Sequence, residues 1–389
     1  MRLDLTAANL QRLQCALASA KTTSGSTHNF YLYPARFSPE IARTAIELFS
    51  RPGDWILDPF MGGGTAVIEA LALGRSVIGV DINALAHFVA SVRTRPLSLR
   101  DEEAIQAWAA RAPIFGRSGS SGSPPRVANL PASIALFLSR ALHAVEELRL
   151  PRRRAFARMV LLRLGQWALD CRDRVAPSRQ RVASKLPELT DEMLAGLREF
   201  VGLCESAGVP KAEISSRRLL LCRGSAGLHQ HSRLGALVGR PRLVFTSPPY
   251  PRVHVLYHRW QVRGRKETPA PYWIASVHDG KPARHYTGGS RTPTGERSYF
   301  SMITDVFSSV REILATDGLV VQLVGFADVK SQLPRYLAAM TIAGFETLQP
   351  VGAEALQLWR RVPNRKWYAK VKGAVDASQE VLLFHRPRR

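Results

Sequence analysis

The sequence has 389 residues, 46% hydrophobic and 22% charged, and no apolar run long enough to span a membrane, so its composition is that of a globular protein. Its four cysteines are scattered and form no C-x-x-C pair, so neither a metal site nor a disulfide framework is indicated, and a cytoplasmic location is expected. Lys and Arg number 54 against 31 Asp and Glu, and the charge of +23 favours a nucleic acid as partner, although a genome rich in arginine codons would produce it as well.

Helix and strand patterns alternate over the first hundred residues. Residues 1–27 predict a helix followed by a polar loop, with no apolar core of a signal peptide. Residues 38–50 predict a helix with Ser38 as the N-cap. The next three elements are a strand over 54–60, a helix over 65–73 and a strand over 76–82. Strand, helix and strand in this order predict a parallel sheet with a right-handed crossover.

The composition changes after about residue 100. Residues 116–125 are rich in Gly and Ser and predict a flexible loop. The pattern over 131–200 is helical, and 151–185 carries ten basic residues against two acidic ones. Strands are predicted again over 217–226, 240–250, 318–326 and 380–386. We therefore predict one doubly wound α/β domain that a helical insertion interrupts between about 100 and 215.

A glycine-rich turn connects the first strand to its helix. Gly62, Gly63 and Gly64 let the backbone approach a ligand, and the helix that begins near Thr65 favours a negative group. Asp58 is suited to an ammonium group, and Asp81, 23 residues further on, to the two hydroxyls of a ribose. S-adenosylmethionine has a carboxylate, an ammonium and a ribose. The spacing matches neither the dinucleotide fingerprint nor the P-loop.

The stretch Ser247-Pro248-Pro249-Tyr250 follows a buried strand and should lie at the carboxyl edge of the sheet, where open α/β folds bind ligands. Two prolines make the backbone stiff and leave carbonyl groups as acceptors. The Ser247 hydroxyl and the Pro248 carbonyl can accept hydrogen bonds from an exocyclic amine, and the ring of Tyr250 offers a stacking face. This pattern predicts a platform for a planar base that bears an amino group.

Together these motifs resemble those of the DNA methyltransferases that methylate the exocyclic amine of cytosine (N4) or adenine (N6). The resemblance covers about 28–95 and 217–386, where the sequences that carry it are HNFYLYPARFSPEIARTAI, DPFMGGGT, GVDINALA and TSPPY. It implies a Rossmann-like class I methyltransferase sheet. The implied division is an N-terminal arm (1–27), a cofactor-binding half (28–100), a basic helical insertion (101–215) and a catalytic half (216–389) with a DNA-contacting loop at 251–300.

The resemblance also implies roles for individual residues. It assigns the target base to Ser247, Pro248, Pro249 and Tyr250. The residues that it assigns to S-adenosylmethionine are Tyr33, Arg36, Phe37, Asp58, Pro59, Phe60, Gly62, Gly63, Gly64, Thr65, Asp81 and Asn83. Gly63 replaces the usual Ser, Ala84 stands where Pro is frequent, and Arg36 stands where Lys is common.

The family methylates an amine directly, without a covalent enzyme intermediate. The chain has no Pro-Cys dipeptide, which argues against methylation of cytosine carbon 5. The target base must leave the duplex, which costs a few kcal/mol. Ser at the first position of the motif favours cytosine N4 in this family, and Asp favours adenine N6, but some members with Ser act on adenine. The expected partner is double-stranded DNA with a flipped base, and any restriction subunit would be a separate chain.

Three basic segments are candidates for DNA contact. Residues 251–289 follow the catalytic motif directly and combine Arg, Lys and His with aromatic residues. The helical stretch 131–200 is basic, but its apolar spacing predicts that much of it is core. Residues 361–372 form the third. Trp260 and Trp273 are expected to pack. The alternatives to a DNA methyltransferase are an RNA methyltransferase on the same fold and a DNA-binding subunit without activity.

Overall fold

The computed structural model describes residues 6–18, 25–32, 37–115, 127–170, 176–251, 259–262, 266–278, 292–348, 358–361 and 379–388. Within these ranges the strands are β1 (Trp55–Asp58), β2 (Ser76–Asp81), β3 (Arg218–Cys222), β4 (Pro241–Thr246), β5 (Trp260–Val262), β6 (Lys266–Thr268), β7 (Leu319–Gly325), β8 (Phe345–Thr347), β9 (Leu358–Arg361) and β10 (Gln379–Pro387). The helices are α1 (Ala7–Ala18), α2 (Pro39–Phe49), α3 (Thr65–Ala72), α4 (Ala84–Arg93), α5 (Leu99–Ala110), α6 (Ala112–Phe115), α7 (Ala132–Val145), α8 (Pro151–Leu169), α9 (Arg179–Ser206), α10 (Ala270–Ala275), α11 (Pro293–Ile313) and α12 (Val329–Ile342).

Eight strands of the described residues form the central sheet in the order β3-β2-β1-β4-β7-β10-β8, and β9 pairs with β10. The five strands from β3 to β7 run parallel, whereas β10 is antiparallel to β7, β8 and β9. Strands β5 and β6 form a separate antiparallel pair. The predicted strands are confirmed, with ends that differ by one or a few residues.

Helices cover both faces of the sheet, so the doubly wound fold is confirmed. Successive residues of each strand alternate between two hydrophobic clusters: Ile56 belongs to one and Leu57 to the other. The first cluster combines one sheet face with α2, α3 and the helices of the predicted insertion. The second combines the other face with α11 and α12. Helices α5 to α9, in the region predicted as an insertion, therefore share one hydrophobic cluster with α2, α3 and the sheet.

Two local expectations can be compared with the backbone. Helix α3 is predicted over 65–73, and Gly74, which follows it, has a φ of 79°, the left-handed conformation that glycine commonly adopts after a helix. Ser38 precedes α2 at the N-cap and Pro39 occupies the first position, but the Ser38 side chain makes no capping hydrogen bond. The predicted Gly- and Ser-rich loop at 116–125 lies outside the described residues.

Candidate active site

The parallel strands β1, β2, β4 and β7 bring their carboxyl ends to one edge of the sheet. Asp58 ends β1, Asp81 ends β2 and Thr246 ends β4. Because β10 is antiparallel, its beginning lies at the same edge, where Glu380 is opposite Gly325 of β7. Residues far apart in the chain thus meet at this edge, which we call the carboxyl edge.

Asp58 is fully buried at the carboxyl edge. Its Oδ1 accepts hydrogen bonds from the Thr246 hydroxyl, at 2.7 Å, and from the Phe60 N–H, at 3.1 Å. Its Oδ2 is buried without a hydrogen-bond partner among the described residues. Burial raises the pKa of Asp58 to about 7, and its hydrogen bonds oppose this shift. A buried carboxylate oxygen without a hydrogen-bond partner is stabilised when a cationic donor binds to it.

The glycine turn has the backbone that its sequence predicts. Gly62 and Gly64 have φ angles of 49° and 83°, which residues with side chains rarely adopt. A Cβ on Gly64 would lie 2.9 Å from the Ala90 Cβ, so close packing also requires glycine there. Gly64 is the N-cap of α3 and has no side chain to accept hydrogen bonds from the first turn. An anionic group can take that place.

Asp81 connects the glycine turn to the start of α4. Its Oδ2 accepts the Gly62 N–H at 2.9 Å, and its Oδ1 accepts the Asn83 N–H at 2.8 Å. Burial raises the pKa of Asp81 to about 6 against these two hydrogen bonds. Each carboxylate oxygen retains a further lone pair for a hydroxyl group. Asp81 is only half-buried, so a ribose can reach it.

The Asn83 side chain has a structural contact that the sequence did not predict. It is buried, and its Oδ1 accepts the Leu85 N–H at 2.8 Å and thereby caps α4. The Tyr272 hydroxyl donates to the same oxygen at 3.3 Å. Asn83 is therefore held by the protein beside Asp81.

The remaining predicted cofactor residues have different surroundings. Phe37 is buried and packs edge-to-face on Phe245 of β4, and Phe60 is half-buried against Phe307. Pro59 and Thr65 are buried. Tyr33 and Arg36 lie outside the described residues.

The buried side chain of Arg93 holds the glycine turn in place. This residue at the end of α4 is 1% exposed and donates to the Gly63 carbonyl at 2.6 Å. It also donates to the carbonyls of His28 and Tyr31, which precede the segment at 33–37. One buried guanidinium therefore fixes the turn relative to the N-terminal segment. Arg93 stands at the end of an amphipathic helix, and this sequence context did not indicate that it fixes the glycine turn.

The stretch Ser247–Tyr250 follows β4 directly, as predicted. Ser247 and Tyr250 are half-buried, and Pro248 is buried. The Tyr250 hydroxyl donates to Glu380 Oε1 at 2.5 Å, and the Ser247 hydroxyl lies 3.5 Å from the Tyr250 oxygen. Glu380 in turn accepts from Arg360 of β9 at 2.5 Å, and both side chains are almost completely buried.

The ring of Tyr250 lies against Gly325. A Cβ on Gly325 would be 2.6 Å from Tyr250 Cε2, so glycine at the end of β7 makes room for the ring. Sequence reasoning missed Gly325, Glu380 and Arg360. A charged residue near the start of an otherwise apolar strand was the one local signal for Glu380.

Helix α8 of the insertion contacts segments from both halves of the domain. The Gln166 amide accepts the Leu32 N–H at 2.8 Å and donates to the Leu32 carbonyl at 3.0 Å. A Cβ on Gly165 would lie 2.4 Å from the Trp260 ring, whose Nε1 donates to the Tyr31 hydroxyl at 3.1 Å. Trp260 is 1% exposed, so its expected packing role is confirmed. The apolar spacing of α8 is core, as predicted.

Two of the three segments predicted to contact DNA lie largely outside the described residues. These are residues 252–258, 263–265 and 279–289 of the segment 251–289, and residues 362–372 of the segment 361–372. The described part of 251–289 consists mainly of β5, β6 and α10. Trp273 is partly buried against the first hydrophobic cluster.

Residues 14–90, which include Asp58, the glycine turn and Asp81, match the profile of the family described as DNA methylase. The match covers 77 residues, about a fifth of the chain, and shows similarity to that family over this part. At the carboxyl edge, Asp58 offers a buried acceptor of the kind that an ammonium needs, and the Asp81 carboxylate offers one suited to hydroxyl groups. These residues fit S-adenosylmethionine.

Several curated proteins are similar to part of this chain. Type II methyltransferase M.MvaI of Kocuria varians is 40% identical over 78 residues, which are 19% of this chain and 17% of that protein. Type II methyltransferase M.BsoBI of Geobacillus stearothermophilus is 37% identical over 84 residues, 21% of this chain and 16% of that protein. The tRNA (guanine(10)-N2)-dimethyltransferase of Methanothermobacter thermautotrophicus is 44% identical over 54 residues, 14% of this chain and 16% of that protein. The chain thus spans less than a fifth of the length of these relatives.

Among solved structures, TrmN from Thermus thermophilus superposes with a TM-score of 0.33 at 12% identity, over 93% of this chain and 52% of that chain. In the part of the chain that the structure describes, no helix is long and apolar enough to cross a membrane. The same residues contain no group of three or more His, Cys, Asp or Glu side chains that could hold a metal ion.

Proposed function

We propose that this protein transfers a methyl group from S-adenosylmethionine to an exocyclic amine of a DNA base, with cytosine N4 as the preferred position. The observation that carries this proposal is the 2.7 Å hydrogen bond between Thr246 and Asp58. Thr246 immediately precedes Ser247, and Asp58 immediately precedes the glycine turn. The candidate base platform and the candidate cofactor loop are therefore neighbours.

Asp58, Asp81 and the start of α3 would hold the cofactor. Asp58 Oδ2 would accept from the ammonium, Asp81 from the ribose hydroxyls, and the first turn of α3 would bind the carboxylate. S-adenosylmethionine supplies an electrophilic methyl group on its sulfonium. Arg93 would keep the glycine turn in position through the Gly63 carbonyl.

Ser247, Pro248 and Tyr250 would hold the base. The amine would donate hydrogen bonds to the Ser247 hydroxyl and the Pro248 carbonyl, which orients the nitrogen lone pair away from them. The ring of Tyr250 would stack on the base and offset part of the cost of unstacking. Since the amine is a weak nucleophile, we expect catalysis to come from positioning. The amine proton would leave to water once the new N–C bond has formed.

Specific observations support two alternative substrates. A serine at the position of Ser247 is also compatible with methylation of adenine N6, since some members of the family with this serine methylate cytosine and others methylate adenine. An RNA substrate is the second alternative, because the similarity to a tRNA dimethyltransferase shows that part of this chain resembles an RNA-modifying protein as well. A restriction partner, if one exists, would be a separate chain.

The test is incubation of the purified protein with unmethylated DNA, or with RNA, and labelled S-adenosylmethionine, followed by mass spectrometry of the nucleosides. We expect label in N4-methylcytosine, and its loss in Ser247→Ala. Ser184→Ala, an exposed serine of α9, is the matched control and should retain activity. Label in N6-methyladenine would reject the preferred base, and label in RNA alone would reject DNA as substrate. If the cofactor binds and no label is transferred to any substrate, enzymatic activity itself is rejected.

A further inference from the structure

A second concave surface lies at the opposite end of the sheet from the carboxyl edge. Helix α4 begins after β2 at the carboxyl edge and runs back, so the loop that follows it, residues 94–98, is at the amino ends of the strands. Arg218 at the start of β3 donates to the Ser91 carbonyl at 2.9 Å, which anchors this region. The beginning of α8 completes the surface, because Arg152 and Arg153 contact Asp101 of α5.

The cavity between these elements has a volume of about 820 Å³ and a positive lining, and we call it the basic cleft. Arg95, Arg100 and Lys211 line it, are exposed and have no acidic partner within the described residues. Burial, together with the charge of Arg95, lowers the pKa of nearby Arg218 to about 10. Positive charge is therefore concentrated on one side of the molecule at this point.

The acidic residue in the basic cleft is already neutralised. Asp101 accepts from Arg152 and Arg153 at 2.7 Å and forms the capping box of α5 with Ser98. These contacts hold the pKa of Asp101 well below its usual range. Asp101 thus holds two arginines in place and leaves the charges of Arg95, Arg100 and Lys211 uncompensated.

A smaller, mainly apolar pocket of about 170 Å³ adjoins the basic cleft. The two cavities share Arg95, Leu97 and Arg152. Phe88 of α4 and Phe156 of α8 line the smaller pocket. An apolar slot with aromatic walls next to several cations matches a ligand with a flat ring at one end and phosphate at the other.

We propose that this joint cavity binds a nucleotide, with its phosphate on Arg95, Arg100 and Lys211 and its base in the smaller pocket that Phe88 and Phe156 line. The nucleotide belongs either to an unpaired stretch of nucleic acid or to a free nucleotide, since both present the same chemistry. This site is separate from the proposed methylation site. None of the residues that line the two cavities is among those proposed to hold S-adenosylmethionine or the target base.

The test measures binding of a fluorescent single-stranded oligonucleotide by anisotropy at several salt concentrations. The variant Arg95→Gln/Arg100→Gln/Lys211→Gln removes three charges from the basic cleft. We expect the slope of log K against log[salt] to fall by about 0.7 if the three cations share one phosphate of the strand and by up to about 2 if each contacts its own, since each contacted phosphate contributes about 0.7. The matched control is Arg51→Gln/Arg240→Gln/Lys330→Gln, which removes three exposed charges elsewhere and should keep the wild-type slope.

A second series tests the base-sized pocket. ATP and inorganic tripolyphosphate compete with the oligonucleotide, and ATP should compete at least tenfold better. Ala155→Phe, which fills the smaller pocket, should remove that advantage and leave competition by tripolyphosphate unchanged. Displacement at physiological ATP concentrations would identify a free nucleotide as the ligand, and displacement only at much higher concentrations a nucleic-acid strand.

The proposal is overturned if the triple variant and its control have equal slopes, or if tripolyphosphate competes as well as ATP. A cooperative urea-unfolding transition like that of the wild type verifies that each variant is folded. No methyl transfer is needed for these measurements, so a failure of the proposed enzymatic function would leave their result unaffected.

Discussion

Tyr250 and Glu380 are joined by a hydrogen bond of 2.5 Å although 130 positions separate them in the chain. The second carboxylate oxygen of Glu380 accepts from Arg360, so the charge that receives the Tyr250 hydroxyl is itself balanced. A charge-assisted bond of this kind is stronger than one between neutral groups. The ring of Tyr250 is thereby oriented before any base binds, with one side against Gly325.

The first prediction concerns the space that Gly325 leaves for the ring of Tyr250. In Gly325→Ala the new Cβ would meet the ring of Tyr250 at 2.6 Å, and the ring cannot yield without losing its bond to Glu380. We expect kcat for methyl transfer to fall at least tenfold, while the affinity for S-adenosylmethionine is unchanged. Steady-state kinetics and calorimetric titration measure the two quantities. Gly235→Ala, where a Cβ meets nothing within 4 Å, is the control, and equal kcat values in the two variants would refute the prediction.

The second prediction compares two Glu–Arg pairs that involve β10. In Glu380→Gln the almost buried Arg360 loses its charged partner, so the free energy of unfolding should fall by about 3 kcal/mol. Glu346→Gln disrupts the exposed pair with Arg386 and should cost less than about 1 kcal/mol. Urea unfolding of both variants provides the comparison. A similar loss of unfolding free energy in the two variants would show that burial does not strengthen the pair of Glu380 and Arg360.

The third prediction follows from the raised pKa of Asp58, about 7. A cationic ligand needs the carboxylate, which forms only as the pH passes this value. The affinity for S-adenosylmethionine should therefore increase with pH from about 6 to 7, by up to tenfold per unit. In Asp58→Asn the affinity should be at least tenfold lower at pH 8, and only the dependence due to Asp81, below about pH 6, should remain. Calorimetric titration across this range measures both effects, and a pH-independent affinity of the wild type would contradict the assignment.

Stability should depend on pH in the opposite direction. Since the folded-state pKa of Asp58 is raised, the folded protein binds the proton more tightly than the unfolded chain does. The contribution of Asp58 to the stability of the ligand-free protein is therefore fully present below about pH 4. It is lost as the pH rises through 7. Chemical unfolding at a series of pH values should show this decrease in the wild type and a weaker one in Asp58→Asn.

The fourth prediction concerns the contact between α8 and Trp260. In Gly165→Ala a Cβ would lie 2.4 Å from the Trp260 ring, so the variant should be destabilised by about 1–3 kcal/mol. Gly202→Ala in α9 meets nothing within 4 Å, and it should instead stabilise the helix by up to about 1 kcal/mol. Thermal and urea unfolding distinguish opposite signs. Stabilisation by both substitutions would mean that α8 and Trp260 are not in contact.

The parts of the fold that depend on short segments were predictable from the sequence. The strand, the glycine turn and α3 follow one another within residues 54–73, so apolar spacing and three glycines suffice to predict them. The placement of Asp58 and Ser247 at one edge followed from the rule that parallel strands share their carboxyl ends. That rule does not depend on the details of packing.

The contacts that complete the site were not predictable in this way. Gln166 binds Leu32 across 134 positions, and Tyr250 binds Glu380 across 130. Each pair depends on the register of strands and on how the insertion packs, and neither leaves a periodic pattern in the sequence. Arg93 was hidden for a related reason, because a basic residue at a helix end is usually exposed to solvent.

Helices α8 and α9 share one hydrophobic core with α2, α3 and the sheet, and this limits how the chain can be divided. Helix α8 contributes Phe156, Val160 and Leu164 to the same cluster as Ile56 of β1. Cutting out the stretch between α5 and β3 would leave a broad apolar face open to water, so the remainder would aggregate rather than persist as a smaller folded protein. Heating should accordingly melt the molecule in one cooperative transition. Grafting this stretch onto a related protein would transplant half of a core rather than a self-contained module.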